Sequence, residues 1–227
     1  MIPAAPHDGF LAVFGAYVHW LVRRSFHNVW VAGDMPAGGF IVAANHTSWW
    51  DGFVPFLAQR SIDRRRRFSI MMDEGQLRRF PFFRLGGAFS VDGTIPRRAV
   101  ASIRYAATLA AEGSGVWIFP EGRIPRPNER AAFTSGFVHA ARYAQVSVLP
   151  VAMRFAMLQT QRPHAFLSFG APIDPFAAGA VQRTRECVRT LLADIDFAVS
   201  ARYFERTMRP LLVPAAGIDD LVAKVCR

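Results

Sequence analysis

The sequence predicts an α/β fold: a single domain with a mixed, mostly parallel central sheet flanked by helices, plus an N-terminal interfacial helix that is apolar and amphipathic. Three observations predict it. Short apolar runs of strand length alternate with longer segments of helical apolar spacing, the pattern of a sheet covered by helices. A chain of 227 residues with 52% hydrophobic content is long enough for one substantial core and too apolar to be disordered. No internal repeat or low-complexity linker divides it, so one domain is the simplest division.

At the amino end, Gly9 to Val22 is an apolar, helix-compatible run that leads into Arg23 and Arg24. A spanning helix needs about 20 apolar residues. A secretory signal carries its positive charge before the apolar run, whereas here the charge follows it. The run is therefore expected to lie in a membrane interface, with Tyr17 and Trp20 at headgroup level and the two arginines on phosphates. The alternative is a helix packed on the core. Gly39 to Ala44 follows as a short buried strand, then a helix from about Trp49 to Gln59 that Ser48 or Thr47 can cap. An arginine loop separates this helix from a strand at Phe68 to Met72. A short helix near Glu74 to Arg79 leads through Pro81 to a strand at Ala88 to Val91. Pro96 to Glu112 has helical spacing, opened by Thr94 or Pro96 and closed by Gly113. A strand at 115–119, a helix at Gly136 to Ala144, and strands at Ser147 to Phe155 and His164 to Phe169 come next. Ala180 to Thr207 is expected as one long amphipathic helix, with Val181, Val188, Leu191, Leu192, Ile195 and Val199 near one face.

Chemistry concentrates at two strand ends. In Ala44-Asn45-His46-Thr47-Ser48-Trp49-Trp50-Asp51 a histidine precedes an aspartate by five residues, at the carboxyl end of a strand, where open α/β sheets place their sites. Along a continuous helix the two side chains would diverge, because only i+3 and i+4 neighbours share a face. They meet only if a turn intervenes. An aspartate bonded to one ring nitrogen would fix the tautomer and leave the other nitrogen free to take a proton. The alternative is a structural histidine beside a capping aspartate. The second end is Val116-Trp117-Ile118-Phe119, which runs into Pro120-Glu121-Gly122-Arg123. Gly122 lets a backbone approach a ligand, and Arg123 offers a fork of donors suited to phosphate. An ordinary turn with a surface arginine would read the same way.

In this order the residues resemble the glycerolipid (lysophospholipid) acyltransferases of the 1-acylglycerol-3-phosphate acyltransferase type. NHTSWWD at 45–51 is similar to that family's first block, GGAFSVDG at 86–93 to its second, FPEGR at 119–123 to its third and VLPVAMRF at 148–155 to its fourth. The blocks together span about half the chain. The resemblance implies transfer of a fatty acyl group from acyl-CoA or acyl carrier protein to a hydroxyl of a lysolipid, with no metal and no cofactor beyond the thioester co-substrate. It assigns His46 as general base and Asp51 as the residue that orients it. It also gives Glu121 and Gly122 to acceptor binding, with Arg123 as the next candidate. Residues 1–32 are then expected as a membrane-associating helix and its lead-in, and 33–227 as the acyltransferase catalytic domain. The expected location is the cytoplasmic face of the cell membrane, held peripherally, with membrane lipids as partners.

Two departures stand out. Many relatives carry an arginine after the block-two aspartate, which the resemblance gives to the acceptor's phosphate, whereas Gly93 follows Asp92 here. Arg97 or Arg98 can reach the same space, or they are first-turn residues of the next helix. Ile124 and Pro125 stand where a hydroxyl residue is usual after the block-three arginine. Both changes allow a non-phosphorylated, hydroxylated or glycosylated lipid as acceptor. The required chemistry suits the residues present. An imidazole removes a hydroxyl proton at physiological pH, a step that general-base catalysis accelerates about 10² to 10⁴-fold. An oxyanion would be met by backbone amides near the start of the helix after His46. Ser48 is assigned to capping, and Trp49 and Trp50 to the core, with an acyl groove as the alternative.

Arginine and lysine outnumber acidic residues 27 to 17, giving +10, which favours anionic partners. Lys224 is the only lysine. The run Arg64 to Arg67 is either a solvated loop or a contact for anionic membrane or CoA. No helix-turn-helix, zinc finger or aromatic RNA-binding sheet is present, so nucleic acid is not an expected partner. Cys187 and Cys226 lack metal spacing and suggest reduced thiols in a cytosolic setting. His7, His19, His27, His139 and His164 are assigned to packing or surface. Pro125 to Ala132, a polar, proline-containing stretch past Glu121, is expected as a surface connection, with a lid over the acceptor as the alternative. Two rival classes remain at this point. One is a hydrolase using His46, Asp51 and Glu121 as metal ligands. The other is a non-catalytic membrane-surface protein that has no use for His46.

Overall fold

A computed structural model describes residues 1–126, 129 and 131–212. In chain order its elements begin with α1 (Asp8–Ser25), β1 (Asn28–Ala32), β2 (Phe40–Ala44), α2 (Phe53–Ile62), β3 (Phe68–Asp73), α3 (Glu74–Arg79) and β4 (Ala88–Val91). Then come α4 (Pro96–Ala111), β5 (Gly115–Ile118), α5 (Gly136–Ala144), β6 (Val148–Ala156), β7 (His164–Phe169), α6 (Ala180–Ser200), α7 (Phe204–Thr207) and β8 (Arg209–Pro210). The strands form one eight-stranded sheet in the order β4-β3-β5-β2-β6-β7-β1-β8. From β4 to β6 every neighbour is parallel, β7 runs antiparallel to β6 and parallel to β1, and β8 closes the edge antiparallel to β1. The sheet is thus mixed and mostly parallel, as expected from the sequence.

Both faces of the sheet are covered, which is why its central strands are apolar throughout rather than alternating. On β2, Phe40, Val42 and Ala44 join the core shared with α1 and α2, while Ile41 and Ala43 join the core under α4 and α5. On the second face α6 and α7 extend the cover over β6, β7 and β1, around Trp30, Ala152, Phe166, Ile195 and Phe204. The buried Trp117 indole is satisfied by Gln59 Oε1 at 2.9 Å, and Gln59 Nε2 donates to the Arg67 carbonyl at 3.0 Å. Gly39, just before β2, lies so close to the end of α4 that a Cβ there would stand 1.8 Å from the Ala110 carbonyl oxygen. Only glycine fits that approach.

The structure departs from the sequence expectations in four places. Residues 28–32, taken as lead-in, form β1, whose ladder partners lie far later in the chain at His164 to Ser168. The long helix expected to Thr207 ends at Ser200. Arg202 adopts φ 56, Tyr203 N–H closes the end on the Ala198 carbonyl at 3.0 Å, and the chain turns. That turn seats the Phe204 ring against Trp30 at 5.1 Å and Phe166 at 5.3 Å, contacts that a continued helix would carry away. The helix expected from Trp49 is a 3-10 turn at Trp49–Gly52 followed by α2. The fourth is Trp49 itself, which is 62% exposed, so only Trp50 packs inward, edge-on to Phe26 at 4.9 Å.

α1 serves the core as well as the surface. Val18 and Val22 are buried and Leu11, Phe14 and Leu21 pack beside them, leaving Val13, Tyr17 and Trp20 exposed on the outer side. Among the described residues no helix is long and apolar enough to cross a membrane. The arginine run lies between α2 and β3, at the edge where the parallel strands begin and opposite His46. There Arg66 donates to the Pro36 carbonyl at 2.7 Å and lies over the Phe40 ring at 4.7 Å. Lys224, Cys226 and positions 127, 128 and 130 of the Pro125–Ala132 loop lie outside the described residues.

Candidate active site

The site is assembled at the carboxyl ends of β2 and β5, adjacent central strands. Asn45 anchors the first of these ends: its Nδ2 donates to the Met153 carbonyl at 3.0 Å and its Oδ1 accepts from Met153 N–H at 2.8 Å. The side-chain amide thereby imitates one further rung of the β2–β6 ladder and fixes where the next residue starts. The chain then turns, and the Ser48 hydroxyl caps the 3-10 helix by accepting from Trp50 N–H at 3.1 Å. This turn brings Asp51 back beneath His46.

The Asp51 carboxylate is 1% exposed and surrounded by donors. Oδ2 lies 2.6 Å from His46 Nδ1 and accepts from the Thr47 and Ser48 amides at 2.5 and 2.9 Å. Oδ1 accepts from the Thr47 hydroxyl at 2.7 Å. A buried carboxylate so held has one arrangement available, and the imidazole bonded to it is oriented accordingly. The His46 ring is 24% exposed above this buried carboxylate. Phe119, the residue that ends the β5 run, stacks on this ring at 4.5 Å and 20°. Sequence reasoning took Phe119 for a strand residue; its place immediately before Pro120 and Glu121 was the available signal.

Glu121 reaches across from β5 and accepts the His46 backbone N–H at Oε2, 2.9 Å away. Burial pushes its carboxyl above the usual range, against the opposing pull of the His46 amide. Gly122 takes φ 69, a left-handed conformation that glycine adopts without strain, and closes the loop on the Phe119 carbonyl at 3.0 Å. Thr134 braces the same loop from below, its N–H and hydroxyl both on the Pro120 carbonyl.

The predicted arginines behave differently. Arg123 is held in a two-bond pair with Glu129, one bond at 2.9 Å, and Glu129 is pulled down to about 2 by that guanidinium and the Arg126 amide. Arg97 and Arg98 are exposed first-turn residues of α4 beyond β4, which β3 and β5 separate from β2. Three strand spacings put that end about 14 Å from the β2 end. Arg98 pairs with Asp92 at 3.1 Å and approaches Glu74 at 4.0 Å. The structure therefore brings His46, Asp51, Glu121 and Gly122 together, and holds Arg98 and Arg123 on carboxylates of their own. The Thr47, Ser48, Trp50 and Asp51 amides are bonded to Asp51 or Ser48.

Two surface clefts, one beside Arg104, Thr108 and Tyr143 and one beside Ile173, Gln182 and Cys187, lie on the helical flanks and share no residue with this site. Among the described residues no three His, Cys, Asp or Glu side chains are grouped to hold a metal ion.

Comparison with known proteins adds three findings. The chain is 29% identical over 146 residues to acl-2 of Caenorhabditis elegans, a protein provisionally named 1-acyl-sn-glycerol-3-phosphate acyltransferase, with 61% of this chain and 50% of that protein aligned. The chain thus spans about half the length of that curated relative. Its fold is that of the crystal structure of the 1-acyl-sn-glycerophosphate (LPA) acyltransferase PlsC from Thermotoga maritima, at TM-score 0.56 and 19% identity, covering 84% of this chain and 79% of that one. A family model described as Acyltransferase matches residues 26–154, more than half of the sequence and the segment that carries His46, Asp51 and Glu121: the chain belongs to the acyltransferase family.

Proposed function

We propose that this chain is an O-acyltransferase that moves a fatty acyl group from acyl-CoA or acyl carrier protein to a hydroxyl of a lysophospholipid, a 1-acylglycerol-3-phosphate or similar lipid. The observation that carries the proposal is the 2.6 Å contact between His46 Nδ1 and the buried Asp51 carboxylate. With Nδ1–H donating to Asp51, the lone pair of Nε2 is free to take the proton of the acceptor hydroxyl. The alkoxide oxygen bonds to the thioester carbonyl carbon, and charge passes to the carbonyl oxygen. Collapse of that intermediate breaks the carbon–sulfur bond, and the departing thiolate recovers the proton from the imidazolium. Proton and electron pairs balance without a covalent enzyme intermediate, so Ser48 is left to its cap. Glu121 keeps His46 in place by its backbone and Gly122 lets the acceptor approach.

The acceptor's class is drawn from the relatives' names and the family match. A hydroxylated or glycosylated lipid without phosphate is favoured by one observation, that Arg98 and Arg123 are both occupied by carboxylates. The setting is a membrane surface, reached peripherally through α1 and its exposed Tyr17 and Trp20.

The test is His46→Ala, assayed for thiol release from an acyl thioester with lysolipids of different headgroups, beside vesicle binding. Turnover is expected to fall at least about 10²-fold, with binding retained and with wild-type activity unaffected by a strong chelator. Undiminished turnover in the variant would reject the base. Activity abolished by the chelator and restored by a metal would favour the hydrolase instead.

A further inference from the structure

The Phe119 ring lies on the His46 imidazole with centroids 4.5 Å apart and planes 20° from parallel. Among the described residues no other ring stacks on His46, since Trp50 and Trp49 of the same loop turn to Phe26 and Phe53 instead. The position of Phe119 follows from the strand that precedes it. β2 and β5 run in parallel with Ala43 beside Ile118, so Phe119 comes level with Ala44, two residues before His46. Alternation puts it on the same side of the sheet as Trp117, and it packs against the core that Trp117 and Ala44 share. Pro120 restricts the residue before it to extended backbone. The turn beyond is braced by Gly122 N–H on the Phe119 carbonyl at 3.0 Å and by Thr134 N–H on the Pro120 carbonyl at 2.9 Å. The Phe119 ring is therefore fixed at its root before it meets the imidazole. His46 needs such support. Rotation of an imidazole about its Cβ–Cγ bond is an sp³–sp² torsion with broad wells. A hydrogen bond at Nδ1 selects one well yet tolerates tilt, because such bonds weaken steeply only below about 120°. A tilt that Nδ1 tolerates swings Nε2, across the ring, out of line with a hydroxyl. A flat ring against the imidazole face removes that freedom.

We propose that Phe119 is a positioning residue for the acyl transfer: it holds the plane of the His46 ring so that Nε2 stays directed at the acceptor hydroxyl. The proposal rests on the reading of His46 as the base. The same contact has a charge component. When Nε2 takes the proton the imidazole becomes a cation, and the negative π face of Phe119 lies against it while the Asp51 carboxylate holds its edge. Both effects act on the proton-transfer step and neither binds substrate, so they belong to kcat and not to KM.

The experiment compares Phe119→Leu, which keeps an apolar side chain and loses the flat face, with wild type. Two quantities are read on the full chain: thioester turnover, and the low-field proton NMR resonance of Nδ1–H, which reports the bond to Asp51 and is assigned by its loss in His46→Ala. Expected are a kcat lower by about tenfold, the scale of one aromatic contact to a cation, an unchanged KM and a shifted or broadened resonance. Phe119→Tyr, which restores a ring, should recover most of both. Phe89→Leu removes a buried ring of β4 that packs on Tyr105 of α4. That variant should lower the melting temperature and leave kcat and the resonance as in wild type, which separates positioning from a general loss of packing. Phe119→Met serves in the same comparison if the leucine variant fails to fold. Wild-type kcat in the variant that lacks the ring, or a raised KM with kcat retained, overturns the proposal. A changed resonance in a protein whose His46→Ala variant keeps full turnover would refute the base while the hold on the imidazole stands.

Discussion

Thr47, Ser48 and His46 all spend donors on one carboxylate, so Asp51 is both the end of a capping box and the support of the imidazole. Asp51→Asn would set an amide NH₂ against those donors and remove the acceptor that holds Nδ1–H. The expected outcome is turnover lower by about 10² to 10⁴-fold, with a loss of about 1–3 kcal/mol of stability from the orphaned amides. Thioester turnover and urea melts measure the two effects; retention of most activity would remove Asp51 from the mechanism. This pair was legible in the sequence because its geometry is local: a capping serine three residues before an aspartate fixes the turn that the pairing needs. Glu121 was legible as a residue and not in its action, because its bond to the His46 amide joins loops after two different strands. The pairing of Arg123 was not legible for a similar reason. Its partner Glu129 stands only six residues on, but nothing in the sequence sets the path of the loop between them.

At the scale of elements, the strands and helices with strong periodicity or clear end signals were legible, and β1 was not. A five-residue strand whose ladder partners are supplied by β7 carries no local sign of pairing. The α6 break was hidden likewise, since Phe204 turns inward for contacts with Trp30 and Phe166 that only the assembled sheet provides. The β1–β7 junction also carries a titratable group. His164 is 4% exposed, its Nδ1 accepts from Trp30 Nε1 at 2.9 Å, and its Nε2 lies 3.1 Å from the Thr160 hydroxyl. Burial, with the His27 ring beside it, lowers it to about 4. The unfolded chain therefore binds more protons than the folded one between about 4 and the ordinary histidine value near 6.5. Stability is complete above that window and falls as pH drops through it, by at most about 3 kcal/mol. Urea melts at stepped pH should show this loss in wild type and a smaller one in His164→Gln, whose amide oxygen can still accept from Trp30. Parallel curves would exclude His164 as the cause.

Across the whole molecule, exposed aromatics connect α1 to the site. Trp49 meets Phe53 at 4.4 Å, Phe53 meets Phe83 at 6.0 Å, and Phe83 meets the exposed Phe82 at 4.5 Å, while Phe14 of α1 joins the same chain of rings. Tyr17, Trp20, Trp49 and Phe82 thus sit on neighbouring elements of a chain with net charge +10. Sedimentation with anionic vesicles is expected to show binding that weakens with salt, and that falls roughly tenfold when Trp20 and Trp49 are both replaced by alanine. Equal binding by the double variant would place the contact elsewhere. The net charge signalled an anionic partner from the start, but its densest run lies at the edge opposite His46, so a count along the chain could not say which arginines matter. The Asn45 latch onto β6 and the Glu121 latch from β5 have a further consequence. His46 stands on a tripod with a foot in each of three adjoining strands, so its aim registers any slip among them. A lesion deep in the sheet would then blunt the chemistry well before it melted the protein, and damage at the outer strands would leave the aim true.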